Sequence, residues 1–294
     1  MGLLYALGAY LSWGLLVPVH FRLLDGVSPW VILAHRILWS GVFVLGLLWL
    51  LRRRRTRFVP GWRHALLAVS ALVIAMNWSL YLWAVQNGRM LDASLGYFIN
   101  PLVAVALGAL FLGERLRPLQ AAAVGIASLG VVIAVVAAGT FPWIALSLAV
   151  SFAVYALIRK LVPIDPILGF CAETFVLLPA ALAYLTVFAP GSASLGVLDG
   201  RTVALLLLTG LTTSVPLMWF AAAAGRLKLS TLGLMQYLAP SCLLGLSVLV
   251  YGETLEPVRI AVFALTWVAL ALYAFDAVRP VRGPITPTPR RCPG

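Results

Sequence analysis

Gly113-Glu114-Arg115-Leu116-Arg117-Pro118 returns as Gly252-Glu253-Thr254-Leu255-Glu256-Pro257, 139 positions further on. Carried back to Pro101 and Pro240, the same register holds seven identities in eighteen positions. Upstream, Gly88-Arg89 matches Gly225-Arg226, and Leu95-Gly96 matches Leu232-Gly233, at an offset of 137. At the front, Ala6-Leu7 matches Ala145-Leu146, and Ser12 beside Trp13 matches Ser151 beside Phe152, again at 139. The chain reads as two copies of one unit, residues 1–138 and 139–278, followed by a tail over 279–294. Within the repeated motif, Gly113 and Gly252 suit the left-handed position that ends a helix, and Pro118 and Pro257 the first turn of the next. Glu114 and Glu253 are expected to accept hydrogen bonds from the free amides of that next helix.

Composition says what the unit is made of. Of 294 residues, 63% are hydrophobic and only 10% charged, with a mean hydropathy of +1.03. A soluble domain carries about 25% charged residues, so a cytosolic enzyme, a nucleic-acid-binding protein and a secreted domain are excluded. At roughly 20 apolar residues per membrane crossing, the length allows about ten crossings. Ten apolar runs fall near 3–21, 30–51, 64–85, 91–112, 119–138, 142–160, 166–189, 202–224, 229–251 and 258–278. The fold class expected is an all-α integral membrane protein. Five helices per copy is an odd number, so the second copy enters the membrane from the opposite side, as a 5+5 inverted repeat. The tail, with five prolines and four arginines, is expected to be disordered.

The net charge of +12 records orientation rather than nucleic-acid binding. With the N-terminus cytoplasmic, sixteen Lys and Arg residues fall on the inside, chiefly between Arg52 and Arg63 and in the tail, against four outside. Both termini are therefore expected in the cytoplasm, in a bacterial inner membrane. Met1 to Ser12 lacks the basic start and cleavage site of a removed signal peptide. Cys171, Cys242 and Cys292 show no C-x-x-C spacing, so neither a disulfide framework nor a zinc site is supported, and no metal or cofactor is expected.

Inverted repeats are typical of secondary transporters, with the substrate near the midplane between the copies. Two pseudo-equivalent halves can exchange conformations at little difference in energy. The chain lacks H-E-x-x-H, G-x-S-x-G and G-x-x-x-x-G-K-[ST] motifs, which argues against an intramembrane enzyme and an ATP-driven pump. A channel or receptor stays open as the alternative.

The stretch from Leu4 to Gly14, LYALGAYLSWG, then Ala34-His35-Arg36-Ile37-Leu38-Trp39-Ser40, resembles the RarD proteins, in the EamA-type branch of the drug/metabolite transporter superfamily. So do Asn77-Trp78 with Tyr81, Gly96 to Leu102, and Gln236-Tyr237 with Pro240. The similarity spans residues 3 to 278. It implies a ten-helix carrier with a central cavity, and RarD proteins are labelled chloramphenicol-sensitivity or resistance permeases. The partners expected are the bilayer and a small-molecule substrate, not nucleic acid; a homodimer is left open.

Polar side chains inside the membrane are costly and should have a use. Arg36 in the second helix corresponds, at offset 137, to Glu173 in the seventh. Arg36 either snorkels or meets an anionic substrate group. Glu173 either neutralises a basic neighbour or couples transport to protons. Asn77 and Tyr81 share one face of the third helix, and Tyr97, Asn100 and Pro101 one face of the fourth. Gln236, Tyr237 and Pro240 sit correspondingly in the ninth. These amides either join helices or line a cavity with Trp13 and Tyr155; matching clusters in both copies favour the cavity. Asp92 and Asp276, near helix ends, are expected to be hydrated.

Overall fold

A computed structural model of the protein describes residues 1–51, 62–87, 89–189, 198–250 and 257–278. These form ten helices: α1 Gly2–Arg22, α2 Pro29–Leu50, α3 Trp62–Gln86, α4 Met90–Leu112 and α5 Pro118–Ala138. There follow α6 Trp143–Leu161, α7 Pro166–Phe188 and α8 Gly200–Ala224. Helix α9 comes in two pieces, Leu229–Met235 and Leu238–Leu249, and α10 is Pro257–Val278. Among the described residues there is no strand, and nine of the helices are long and apolar enough to span a bilayer. The tenth has a shorter apolar stretch, Ile260–Asp276. The all-α, multi-span architecture expected from composition is the one observed. The charged loop after Leu51, the second copy of the motif from Gly252 to Glu256, and the tail from Arg279 lie outside the described residues.

The helices start and stop where the local chemistry directs. Pro29, Pro118 and Pro166 occupy first turns, where a missing amide costs nothing. Asp165 Oδ1 accepts from the amide of Ile167 at 3.0 Å, and Asp199 Oδ1 from that of Thr202 at 2.6 Å. Gly113 ends α4 at φ 62°, a left-handed conformation that favours glycine, as the motif required. Prolines inside the membrane bend the ladder instead. Ahead of Pro18, α1 widens into a π-turn over Ser12–Leu16, and beyond Pro179, α7 does so over Tyr184–Phe188. Just before Pro240, α9 breaks at Gln236 and Tyr237, whose amides turn back to Gly233 and Leu234.

Glu114 corrects one expectation. Its carboxylate does not serve α5, the next helix. It accepts from the amides of Leu229 at 2.6 Å and Ser230 at 2.9 Å and from Ser230 Oγ at 2.7 Å, at the start of α9. The residue preceding α9 is Lys228, which has no acceptor to offer, so these amides take one from across the fold. At α5, Gln120 Oε1 already accepts the amide of Arg117. Asp276 departs likewise: it is buried and pairs with Arg117 Nη1 at 3.4 Å, joining α10 to α5. Asp92 pairs with Arg89 at 2.8 Å.

Packing follows a regular scheme. Helix α4 lies against α6, and α9 against α1; α3 lies against α6, and α8 against α1. Helix α2 lies against α8, and α7 against α3, while α2 meets α7, α4 meets α9 and α5 meets α10. In lipid, helix association depends on close contact rather than on water exclusion, so small residues mark the crossings. A Cβ on Gly210 of α8 would stand 2.5 Å from the backbone of Trp39 on α2, and one on Gly14 of α1 2.7 Å from the Ala239 carbonyl on α9.

Candidate substrate site

Arg36 lies in the first half of α2. Its Nε donates to Thr213 Oγ1 on α8 at 2.9 Å. The guanidinium carbon sits 4.6 Å from the centre of the Trp78 ring on α3 and 5.1 Å from that of Phe21 on α1. Two aromatic faces and one hydroxyl thus hold the cation. Among the described residues no carboxylate pairs with it, and the hydrogen bond it makes there is through Nε rather than through the terminal nitrogens Nη1 and Nη2.

Glu173, at the equivalent position in α7, is surrounded differently. Its Oε1 accepts from Ser70 Oγ on α3 at 2.5 Å and from Arg159 Nη1 on α6 at 3.3 Å. Tyr155 Oη approaches Oε2 at 3.5 Å. The side chains of Arg159 and Glu173 keep only 2% and 5% of their exposure, so the pair is shielded from solvent. Arg159 Nε finds no hydrogen-bond partner among the described residues. A buried pair of this kind adds little net stability, but removing one member strands the other charge.

A narrow cavity between α2, α3, α6, α7 and α8 connects the two neighbourhoods. Trp78, Tyr155, Phe170, Glu173, Thr174 and Thr213 line it, together with aliphatic side chains. Trp78 and Thr213 are also the groups that hold Arg36. Its walls are apolar with a few convergent polar groups, and its volume of about 20 Å³ is room for a single water in this conformation.

The remaining sequence candidates divide. Tyr81 and Tyr97 meet edge to face at 6.3 Å, and Tyr97 stands within electrostatic reach of Arg36. Asn77 instead joins helices: its Nδ2 donates to the Leu148 carbonyl at 2.9 Å and to Ser151 Oγ at 2.8 Å, both on α6. Tyr237 does the same, donating to the Phe98 carbonyl at 2.9 Å. Gln236 is buried at the break of α9. Asn100 is buried with its Oδ1 lacking a partner among the described residues. Trp13 stands in an aromatic cluster with Tyr10, Phe152 and Phe220, ring centres 5.5 to 5.8 Å away. The structure therefore sets Arg36 on Trp78 and Tyr81 against Tyr97, and places Asn77, Tyr237 and Trp13 in packing contacts.

Sequence reasoning missed Thr213, Ser70 and Arg159. Arg159, close to a helix end, reads as a topological charge, and only the fold reveals its burial. The repeat register carries a signal nonetheless. At offset 139, Ser70 corresponds to Thr209 and Arg159 to His20, and all four are buried. Thr209 Oγ1 donates to the Leu206 carbonyl three residues earlier, and Ser70 Oγ lies 3.0 Å from the corresponding Leu67 carbonyl while its one proton serves Glu173.

Long apolar helices around a cavity flanked by opposite charges define a multi-span α-helical membrane protein. The model of the EamA-like transporter family matches residues 1–136. An uncharacterized transporter of Pseudomonas aeruginosa is 46% identical over 293 residues, covering 96% of this chain and 95% of that protein. Protein RarD of Escherichia coli K12 is 44% identical over 281 residues, covering 94% and 95%. A protein of Pseudomonas aeruginosa named chloramphenicol-sensitive protein RarD is 31% identical, covering 90% and 91%. A solved crystal structure superposes with a TM-score of 0.70 at 21% identity, over 94% of this chain and 97% of that one, a likeness of fold. The chain belongs to the RarD-type branch of the EamA-like transporter family.

Proposed function

We propose that this transporter is a secondary carrier that exports a small organic metabolite or drug-like solute by alternating access between two inverted five-helix halves. The observation that carries the reading is contact between repeat-equivalent residues. Trp13 and Phe152, equivalent at offset 139, touch at 5.8 Å; Phe98 and Tyr237, also equivalent at 139, touch at 6.5 Å. A residue that meets its own counterpart lies on the axis relating the copies. The helix pairings agree, since exchanging each helix with the one five places on turns α4–α6 into α9–α1, α3–α6 into α8–α1, and α2–α8 into α7–α3. Such a scaffold has two end states of similar energy.

In this reading Arg36, Tyr81, Tyr97, Asn100 and Gln236 line the transport path, Trp13, Asn77 and Tyr237 border it through the packing contacts described above, and Glu173 is the candidate for proton coupling. The chain lies in the bacterial inner membrane with both termini cytoplasmic. The name of the chloramphenicol-sensitive relative makes chloramphenicol the first solute to test. The experiment is counterflow in proteoliposomes with labelled chloramphenicol and a metabolite panel. A carrier shows trans-stimulation by unlabelled solute. Flux indifferent to the trans solute would replace the carrier by a channel. For orientation, a cysteine at Thr56 should resist an impermeant thiol reagent in intact cells and one at Ser194 should react, with the native cysteines removed first; the reverse pattern overturns the topology.

A further inference from the structure

We infer that the substrate is an organic anion, and that its carboxylate is bound by the Nη1 and Nη2 edge of Arg36. Four observations combine. The guanidinium has no acidic partner among the described residues, so its charge is uncompensated inside the membrane. It is oriented nevertheless: Thr213 fixes Nε, and Trp78 and Phe21 cover it. A cation that merely snorkelled would not be held by three helices through its head group. Second, Trp78 and Thr213, the two groups that hold the cation on α3 and α8, line the cavity, so Arg36 stands directly behind its wall. Third, the charges around that space do not cancel. Glu173 is matched by Arg159, which leaves Arg36 as a surplus positive charge. Fourth, Tyr97 lies within electrostatic range of Arg36, and Tyr81 packs against Tyr97 at 6.3 Å, so the neighbourhood of the cation is aromatic. A planar guanidinium with Nε engaged presents two parallel N–H donors, the geometry a carboxylate accepts in bidentate fashion. A neutral carbonyl gains a weaker hydrogen bond without the charge pairing, and an ammonium is repelled. The aromatic neighbours suit a monocarboxylate with an apolar body.

For turnover, the inference rests on the carrier reading above; for binding it stands alone, and the test separates the two. Purified protein is titrated with acetate, butyrate, octanoate, benzoate, phenylacetate and indole-3-acetate, each beside its primary amide, and thermal stabilisation is read. At least one acid should bind tenfold or more tighter than its amide. Arg36→Lys should remove most of that preference while the unliganded protein melts as before, because a lysine cannot offer the paired donors. Thr213→Val, which keeps the charge and frees Nε, should weaken acid binding several-fold and serves if the Arg36 variant does not fold. No preference of any acid over its amide overturns the inference, as does a preference that survives both substitutions. Counterflow with the preferred acid then tests the carrier: selective binding without trans-stimulation sinks the carrier reading and leaves the anion site. Counterflow of neutral solutes alone, unaffected by Arg36→Lys, leaves the carrier and sinks the anion site.

Discussion

Replacing Glu173 by leucine should be among the most damaging single changes available in this chain. The carboxylate is nearly fully buried and serves three donors, from Ser70, Arg159 and Tyr155. Without it, Arg159 keeps an enclosed positive charge whose Nε already lacks a partner among the described residues. Breaking a buried pair by removing one member costs about 3–5 kcal/mol, and with exposures of 2% and 5% little solvent screening reduces it. Glu173→Gln keeps one acceptor oxygen, enough for Ser70, and presents its NH2 as a donor to the Tyr155 oxygen, so it should fall between the parent and Glu173→Leu. The double variant Glu173→Leu, Arg159→Met removes both charges, so it should be markedly more stable than the sum of the single losses predicts. The assay is equilibrium unfolding in mixed micelles of the parent, the two single variants and the double, which yields a coupling energy. Losses below about 1 kcal/mol that simply add would refute the argument, since the carboxylate and guanidinium would then not depend on each other. Proteoliposomes supply a second reading: if Glu173 couples protons, Glu173→Gln exchanges substrate for substrate but no longer responds to an imposed pH gradient. Full gradient-driven transport by that variant reduces Glu173 to the partner of Arg159.

Asn100→Ala should lower transport several-fold with little loss of folded protein, because its Oδ1 makes no protein hydrogen bond that the change would break; Ser128→Ala on α5, where the hydroxyl only bonds back to Val124, is the control, and equal effects in a flux assay would refute a binding role. Gly210→Leu should prevent α2 and α8 from meeting and abolish monodisperse protein on gel filtration, since even a Cβ would stand 2.5 Å from the Trp39 backbone. Asp199, capping α8 outside the span, has its carboxyl held below the usual range by its hydrogen bond to Thr202. Its contribution is thus present above the ordinary aspartate value of about 3.9 and lost as pH falls through the lower folded value. Melting curves across that range should show this acid-side loss in the parent and not in Asp199→Ala, with Asp199→Asn holding the neutral-pH stability.

The helices were legible because the bilayer leaves the backbone few alternatives. An apolar run of sufficient length must satisfy its own amides, so hydropathy alone marks α1 through α10. Ends were nearly as clear where one residue decides them, as Gly113, Pro118 and Pro166 do. What failed was reasoning that looked only to sequence neighbours. Glu114 was expected to serve the helix four residues on, yet the amides most in need of an acceptor belong to α9. Lys228, which precedes α9 and cannot cap it, was visible in the sequence; that Glu114 would be adjacent was a property of the fold.

The site divides along the same line. That Arg36 and Glu173 occupy equivalent positions follows from the repeat register, and so does the opposition of their charges. Which of the two is compensated does not. Compensation depends on Arg159, which counting rules place with the cytoplasmic charges, and on Ser70, an unremarkable serine in an apolar helix until α7 packs against it. Asn77 and Asn100 make the same point from the other side. Both are amides on cavity-facing patterns, but Asn77 meets a carbonyl and a hydroxyl on α6, while Asn100 keeps an unused acceptor. A polar residue in a membrane helix announces that something must satisfy it, and the repeat shows where its equivalent lies. Whether a neighbouring helix or a solute supplies the partner is decided by packing, and at Arg36 no neighbouring helix supplies the anion among the described residues.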